Sequence, residues 1–408
     1  MTAFHELQDV VDELGRRLQR SVAIDDPQMR LVAYSRHYGP VDETRRDSIL
    51  QRVAEGPGIE HARSFGIERA TEPVRVAPLP PIGQLARVCV PVLHQGLRLG
   101  YLWLIDADES LTEDEVALAS EAASNAASTL YRTRLVRELA RGRERELLRD
   151  LLAPEPELRR MAASCLVEEN LLAPGPVVTF VVRGVPLQDD ETRLMLDTTL
   201  AEAARRLPAR HGSHLVRHDH GVLVVVTSGR HTGATGQREL AERLRDDVAR
   251  RLASSLGSSS GHRPLVGIGG RGPELADAAA SYEQAGLAAR VALHVTATGD
   301  VARWDDLGVY RTLARLPHDQ LVSEAVDPAL SKLLAADTDG TYVLTLETFL
   351  DLAGNASRTA EALQVHRTSV YYRLGRISEI TGLDLEDGNS RLALHLSLKI
   401  ARLTGLRD

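Results

Sequence analysis

The sequence predicts a multidomain α+β chain, with two mixed α/β modules joined by one long helix and followed by an all-helical module. Three observations carry this reading. The chain has 408 residues, room for two to four domains at roughly 100–200 residues each. Strand-like runs alternate with helical periodicity up to about residue 305, after which only helical patterns remain. Between the mixed regions, helix formers run from Thr112 to Leu152, longer than an ordinary globular helix.

Composition narrows the function classes. With 43% apolar and 26% charged residues the chain is of globular type. Its 49 basic and 57 acidic residues give a net charge of −8, which excludes a uniformly polybasic nucleic-acid binder and confines any basic surface to a patch. Two distant cysteines, Cys89 and Cys165, exclude a disulfide framework and a Cys-x-x-Cys motif, and fit a reducing cytoplasm. The start of the chain is charged and no run approaches the ~20 apolar residues of a membrane span, so a soluble, unexported protein is expected.

In the first module, Leu7, Val10, Val11, Leu14 and Leu18 predict a helix over 1–20. Two strands, Ser21 to Asp26 and Arg30 to Ser35, meet at Asp25-Asp26-Pro27. A helix at about 42–55 and a loop through Pro73, Pro78, Pro80 and Pro81 follow. Ala86 to Val92 and Leu97 to Ile105 form a hairpin through His94-Gln95-Gly96. Thr112-Glu113-Asp114-Glu115 is a capping box, and Val116, Ala119, Ala123, Ala126 and Leu130 repeat in steps of three and four. That seam predicts a dimer helix, with packing inside its own domain as the alternative, and Ala153-Pro154-Glu155-Pro156 ends it.

The second module reads as a strand over Pro176 to Val182, a helix over Thr192 to Leu207, and a strand pair from Leu215 to Val226. Loops at 228–236 and Gly257 to Gly261 flank a helix over 237–256, before a strand over Leu265 to Ile268 and an alanine-rich helix over 273–293. Gly267 to Gly272 spells G-x-G-x-x-G between strand and helix, where a dinucleotide pyrophosphate could sit. Asp300 comes late for the ribose acid, and Pro273 at the first helical position equally fits an ordinary helix start. His211, His214, His218 and His220 cluster without paired Cys or Glu, so turn residues are the better reading than metal ligands. No nucleophile elbow argues for an enzyme.

Asn355 to Ile377 predicts two short helices around a turn at Gln364 to His366, with Ser357 as N-cap of the first. In the second helix Val370, Leu374 and Ile377 share one face. The opposite face centres on Thr368, Tyr372 and Gly375, flanked by Ser369, Tyr371 and Arg376, with Arg367 and Arg373 at the margins. Four arginines, including Arg358, against one glutamate give this segment a net +3. Hydroxyls, aromatic edges and arginines on one exposed face suit base edges and phosphates of duplex DNA.

Thr359 to Leu363, His366-Arg367-Thr368-Ser369-Val370-Tyr371-Tyr372-Arg373-Leu374 and Ile380-Thr381-Gly382-Leu383-Asp384-Leu385 closely resemble the C-terminal helix-turn-helix domain of PucR/CdaR-type bacterial transcriptional regulators. Ser369 stands where that family usually has Thr, keeping the hydroxyl. Leu147 to Leu152 and the region 160–300 resemble the family's degenerate GGDEF-like domain, and Arg217-His218-Asp219-His220-Gly221 replaces the hairpin of active diguanylate cyclases, so cyclase activity is not implied. Residues 1–130 resemble a GAF-type sensory domain.

The resemblance implies a GAF-like α/β sensor (1–130), a helical linker (131–155), a GGDEF-like α/β domain (156–305) and an all-α helix-turn-helix domain (306–408). It implies a cytoplasmic homodimer, without a cofactor or membrane attachment, that binds a palindromic double-stranded DNA operator in response to a small-molecule effector. DNA contacts are expected from Arg358, His366, Arg367, Thr368, Ser369, Tyr371, Tyr372, Arg373 and Arg376. Effector contacts are expected from Tyr34, Arg87 and Trp103, between the first sheet and the 42–82 segment. A nucleotide-binding sensor or enzyme using Gly267 to Gly272, and a dimerising scaffold, are the alternatives.

Overall fold

The computed structural model describes residues 2–52, 56–256, 262–317, 320–321 and 326–406. The chain divides into two compact units, Met1–Gly142 and Arg143–Asp408, the division falling inside one long helix. Both sheets of the α+β architecture alternate apolar residues between two faces, and both are covered by helices on each side.

The first unit runs α1 (Thr2–Leu18), β1 (Val22–Asp25), β2 (Leu31–Tyr34), α2 (Glu43–Gln51), α3 (Pro57–Ser64), β3 (Val74–Val76), β4 (Arg87–His94), β5 (Leu97–Ile105) and α4 (Glu113–Leu151), which continues into the second unit. Its antiparallel sheet has the order β2-β1-β5-β4-β3. Ala23 pairs with Trp103 and Asp25 with Tyr101, so Val22, Ile24, Leu102 and Leu104 share one face while Asp25, Tyr101 and Trp103 share the other.

The first of these faces is covered by Leu7, Val11 and Leu14 of α1 and by Val116, Ala119, Ala123 and Ala126 of α4. The seam expected to pair two protomers is therefore spent inside the unit, since those four residues are at most 7% exposed. The small alanines that read as a helix-helix seam instead let α4 lie close to α1 and the sheet. The capping box forms as expected, with Thr112 N–H donating to Glu115 Oε2 at 2.9 Å and Glu115 N–H to Thr112 Oγ1 at 3.3 Å.

Other expectations shift. The helix expected over 42–55 is capped by Asp42 and ends at Gln51, where Arg52 turns left-handed at φ 57°; positions 53–55 lie outside the described residues. The proline-rich stretch expected as loop holds β3 and a 3-10 turn at Pro80–Ile82. β3 is an edge strand of three residues, too short to show a period, and Pro73 just before it is tolerated there.

The second unit adds α5 (Pro156–Glu168), β6 (Val177–Arg183), α6 (Asp190–Arg205), β7 (Gly212–Val216), β8 (Gly221–Val226), α7 (Ala234–Leu256), β9 (Leu265–Ile268), α8 (Ala278–His294) and β10 (Val301–Arg303). The order is β10-β9-β6-β8-β7, with only β9 and β10 parallel. Leu196 and Leu200 of α6 and Leu244 and Val248 of α7 cover one face; Leu148 and Leu151 at the end of α4, with Leu166 of α5, pack on the other. β10 was hidden by its length, and Pro273 is not helical: Glu274 caps a 3-10 turn at Leu275–Asp277 that leads into α8. The segment expected as loop at 228–236 contains a 3-10 turn, Gly229–Thr232, and the start of α7; the loop expected at Gly257 to Gly261 lies outside the described residues.

The remaining helices are α9 (Tyr310–Leu313), α10 (Pro328–Ala336), α11 (Thr341–Asp351), α12 (Ala356–Ala362), α13 (Arg367–Thr381) and α14 (Gly388–Leu403). Leu330, Leu346, Phe349, Val370, Ile377, Leu394 and Leu398 belong to the common core of α10 to α14, while Leu313 of α9 packs in the core with α8. Among the described residues no helix is long and apolar enough to cross a membrane.

The glycines in and just after β9 let α8 lie close to that strand. A Cβ on Gly267 would fall on the Ala285 carbonyl of α8, and one on Gly269 on the Ser281 carbonyl. Gly267→Ala should destabilise the second unit by about 1–3 kcal/mol through overpacking, read as a shifted urea midpoint for that unit's transition. An unchanged midpoint would show that α8 yields freely.

Candidate nucleic-acid interface

The pair α12 and α13 is positioned by caps and by one buried face. Asn355, not the expected Ser357, is the N-cap of α12: its Oδ1 accepts from Arg358 N–H at 3.0 Å. Asn355 precedes the helix while Ser357 is already its second residue, so the hydroxyl is on the wrong side of the terminus. The chain turns at Gln364, left-handed at φ 55°, where Val365 N–H bonds the Ala360 carbonyl at 3.0 Å. His366 then caps α13, its Nδ1 accepting from Thr368 N–H at 3.3 Å. Val370, Leu374 and Ile377 face inward at 0, 8 and 0% exposure.

The opposite face is open. Tyr371 and Tyr372 are 51% and 67% exposed, Arg367, Thr368, Gly375 and Arg376 are exposed, and Ser369 and Arg373 are half-buried. The Arg367 guanidinium stands 5.3 Å above the Tyr371 ring and donates to its hydroxyl at 2.7 Å, which stiffens both side chains. Arg376 pairs with Glu379 one turn on, and Arg373 donates to Thr345 Oγ1 of α11 at 3.2 Å. Arg358 is exposed on α12. An open groove of about 660 Å³ runs between Asp337, Asp339 and Tyr342 on one wall and Thr368, Ser369, Tyr372 and Arg373 on the other. The nine expected DNA-contact residues thus share one two-helix element. His366 is committed to capping, and Arg373 leans toward α11.

Of the expected effector contacts, Arg87 and Trp103 come together and Tyr34 does not. Arg87 and Trp103 line a cavity of about 20 Å³ under α2, beside Asp25 and Arg45, while Tyr34 sits on the edge strand, 40% exposed. Arg87 is ion-paired with buried Asp42, whose other oxygen caps α2 through Arg45 N–H at 2.9 Å. Burial pushes the Asp25 carboxyl up to about 6 against the pull of Arg45, and brings the Arg45 guanidinium down to about 10. Sequence reasoning missed Asp25 and Arg45. The first reads as a turn residue, and the second as one arginine in an exposed helix.

In the middle of the chain, the Gly267 to Gly272 loop has no room for a pyrophosphate where one would bind. Its glycines abut α8, and the backbone amides at the helix start are taken by the Glu274 and Asp277 side chains. The β7–β8 hairpin is closed by its own groups: buried His220 contacts Asp219 at 2.6 Å and the Tyr282 hydroxyl at 2.8 Å, and burial lowers its pKa. His211 bonds the Ala209 carbonyl and His214 lies 3.4 Å from Asp197. Among the described residues no group of three His, Cys, Asp or Glu side chains is arranged to hold a metal ion.

An exposed basic and aromatic helix face behind a capped turn defines a helix-turn-helix protein. The PucR C-terminal helix-turn-helix domain matches residues 342–400, and the GGDEF-like domain matches residues 170–291. The sequence is 23% identical to the proline-responsive transcriptional activator PutR of Bacillus subtilis (strain 168), over 98% of this chain and 97% of that one. It is 22% identical to the DNA-binding transcriptional activator AdeR of the same strain, over 98% and 94%. It is 35% identical to the carbohydrate diacid regulator of Escherichia coli (strain K12), over 24% and 25%. The chain is a PucR/CdaR-type transcriptional regulator with a helix-turn-helix DNA-binding domain.

The raised Asp25 pKa gives a pH dependence with a defined sign. The group's folded-state pKa, about 6, lies above the ~3.9 of an unfolded chain, so the neutral acid favours folding. Its stabilisation is full below about pH 4 and is lost as pH rises through about 6, on the order of 3 kcal/mol. Asp25→Asn should therefore stabilise the first unit relative to wild type at pH 7.5 but not at pH 4.5. Parallel pH-stability curves for the two proteins, by chemical denaturation, would contradict this.

Proposed function

We propose that the chain is a cytoplasmic, dimeric transcription factor that binds a palindromic operator through two copies of α13 and responds to a small-molecule effector held by the first unit. One observation carries the DNA reading: the exposed Arg367, Thr368, Tyr371, Tyr372 and Arg376 lie on the solvent side of a helix whose other side is the domain core. Such a helix can enter a major groove, with Thr368, Ser369, Tyr372 and Arg376 toward base edges and Arg358, Arg367 and Arg373 toward phosphates. We take 1–130 as the sensor, 131–155 as its helical connection, 156–305 as a domain without catalytic activity and 306–408 as the DNA-binding module. The inert reading of 156–305 is supported by the hairpin at Arg217 to Gly221, whose His and Asp are held in internal contacts.

Two recognition helices need a twofold contact. With Val116, Ala119, Ala123 and Ala126 buried, the most exposed large apolar residues described on α4 are Leu135, Val136 and Leu139, at 43, 66 and 66%, ahead of Leu118 at 37%. We place the contact there, spacing half-sites by roughly 34 Å or a multiple on the operator. Replacing Val136 and Leu139 together with Glu should shift the sedimentation mass from dimer to monomer at micromolar concentration. A variant that remains fully dimeric would remove this helix from the contact.

The DNA assignment is tested by anisotropy on fragments enriched from genomic DNA, at two salt concentrations. Arg376→Ala should weaken specific binding by about 1–3 kcal/mol, after losing its tie to Glu379. Arg367→Ala should weaken all sequences alike and flatten the salt slope by about one. Unchanged affinity and slope in both variants would overturn the role of α13.

A further inference from the structure

The three arginines of α13 are held in different ways. Arg367 bonds Tyr371 and Arg376 pairs with Glu379, both partners lying on α13 itself. Arg373 reaches another helix, its Nη1 donating to Thr345 Oγ1 of α11 at 3.2 Å. Thr345 is fully buried, a place where valine would have the same shape without a polar atom. Its hydroxyl spends its single proton on the Thr341 carbonyl one turn back, at 2.7 Å. What Thr345 presents to α13 is therefore a fixed acceptor, and a guanidinium, which only donates, is suited to it.

That tether fixes where the charge of Arg373 sits. Arg373 lines the open groove with Thr368, Ser369 and Tyr372, and the other wall carries Asp337 and Asp339. Carboxylates sharing a groove with a guanidinium are its natural partners, yet among the described residues Arg373 forms no ion pair. The two acids serve the start of α11 instead: Asp337 accepts from Val343 N–H at 2.7 Å and Asp339 from Thr341 N–H at 3.1 Å. A long side chain that must be ordered on binding costs affinity, and one anchored beforehand has already met that cost. We infer that Thr345 is a positioning residue for DNA binding: it holds Arg373 at the groove, and off its carboxylates, so that the remaining guanidinium N–H groups are ready for a DNA phosphate. The assignment rests on reading α13 as the DNA-binding helix and extends that site to a buried residue of α11.

The test uses the full-length protein and anisotropy at two salt concentrations, on a fragment enriched from genomic DNA and on poly(dI-dC). Thr345→Val keeps the shape and removes the hydroxyl, while Thr345→Ser keeps the hydroxyl and loses the methyl. Thr345→Val should weaken binding to both DNAs about three- to tenfold, and Thr345→Ser should stay within about twofold of wild type. The salt slope of Thr345→Val should match wild type because the charge remains, whereas Arg373→Ala should flatten it by about one. With Arg373→Ala already in place, Thr345→Val should cost no further affinity, since nothing is left to position. Thr345→Ala supplies a second variant without the hydroxyl, and urea denaturation of each preparation checks that the second unit is folded.

Wild-type affinity in the hydroxyl-free variants overturns the inference. So does a loss that persists undiminished beside Arg373→Ala, or one that Thr345→Ser shares, because either marks Thr345 as a packing residue of the α11–α13 contact. Wild-type binding by Arg373→Ala removes the contact that Thr345 would position, and this inference alone, leaving Arg367 and Arg376 in place. Failure of the wild-type protein to bind either DNA removes the reading of α13 itself.

Discussion

The last helix, α14, has two apolar faces that enter two different cores. Leu394, Leu398 and Ala401 pack with Val370, Leu374 and Ile377 of the recognition helix, while Ile400 and Leu403 pack with Ala288, Val291 and Ala292 of α8. Fully burying an Ile or Leu contributes about 1.5–3 kcal/mol, so even the two residues on the α8 side resist local opening. Polar contacts reinforce the first core. Arg402 bonds buried Glu347 at 2.7 Å and Lys399 bonds Asp351 at 2.7 Å, both across to α11. The exposed face of α13 is thus held on a scaffold that α14 ties to the core around α8, with Val326 packing against both cores.

Buried charge is the corresponding constraint in the first unit. Hydrophobic burial explains α1, α4 and the sheet face between them, but not α2, which is held by the Asp42 cap and the Arg87 pair. Removing one partner of a buried ion pair costs more than the intact pair contributes, so Asp42 and Arg87 stand or fall together. Asp25 and Arg45 attract one another and the Trp103 indole reaches Asp25, but burial outweighs both. Their shifted ionisation, up for the acid and down for the base, is the signature of groups whose surroundings supply too little compensation.

What the sequence disclosed follows the range of the forces involved. Period and cap chemistry are local, which is why the Thr112 capping box, the His94-Gln95-Gly96 hairpin and the inward face of α13 could be read directly. The edge strands β3 and β10, three residues each, carry no period of their own and exist only because β4 and β9 offer partners. The alanine seam of α4 was legible as a packing surface, but a seam does not say against what it packs. The exposed residues of α13 could be named from spacing alone, whereas Asp25 and Arg45 meet only through the fold: one ends a strand, the other starts a helix, and neither stretch marks them as buried.

These two constraints bound how the proposed sensing could work. With α14 fixed against α8, the proposed dimer would change the spacing of its two recognition helices between protomers rather than by flexing within the second unit. An effector shifts that equilibrium only by its differential affinity for the two arrangements, and couplings of about 1–3 kcal/mol are usual.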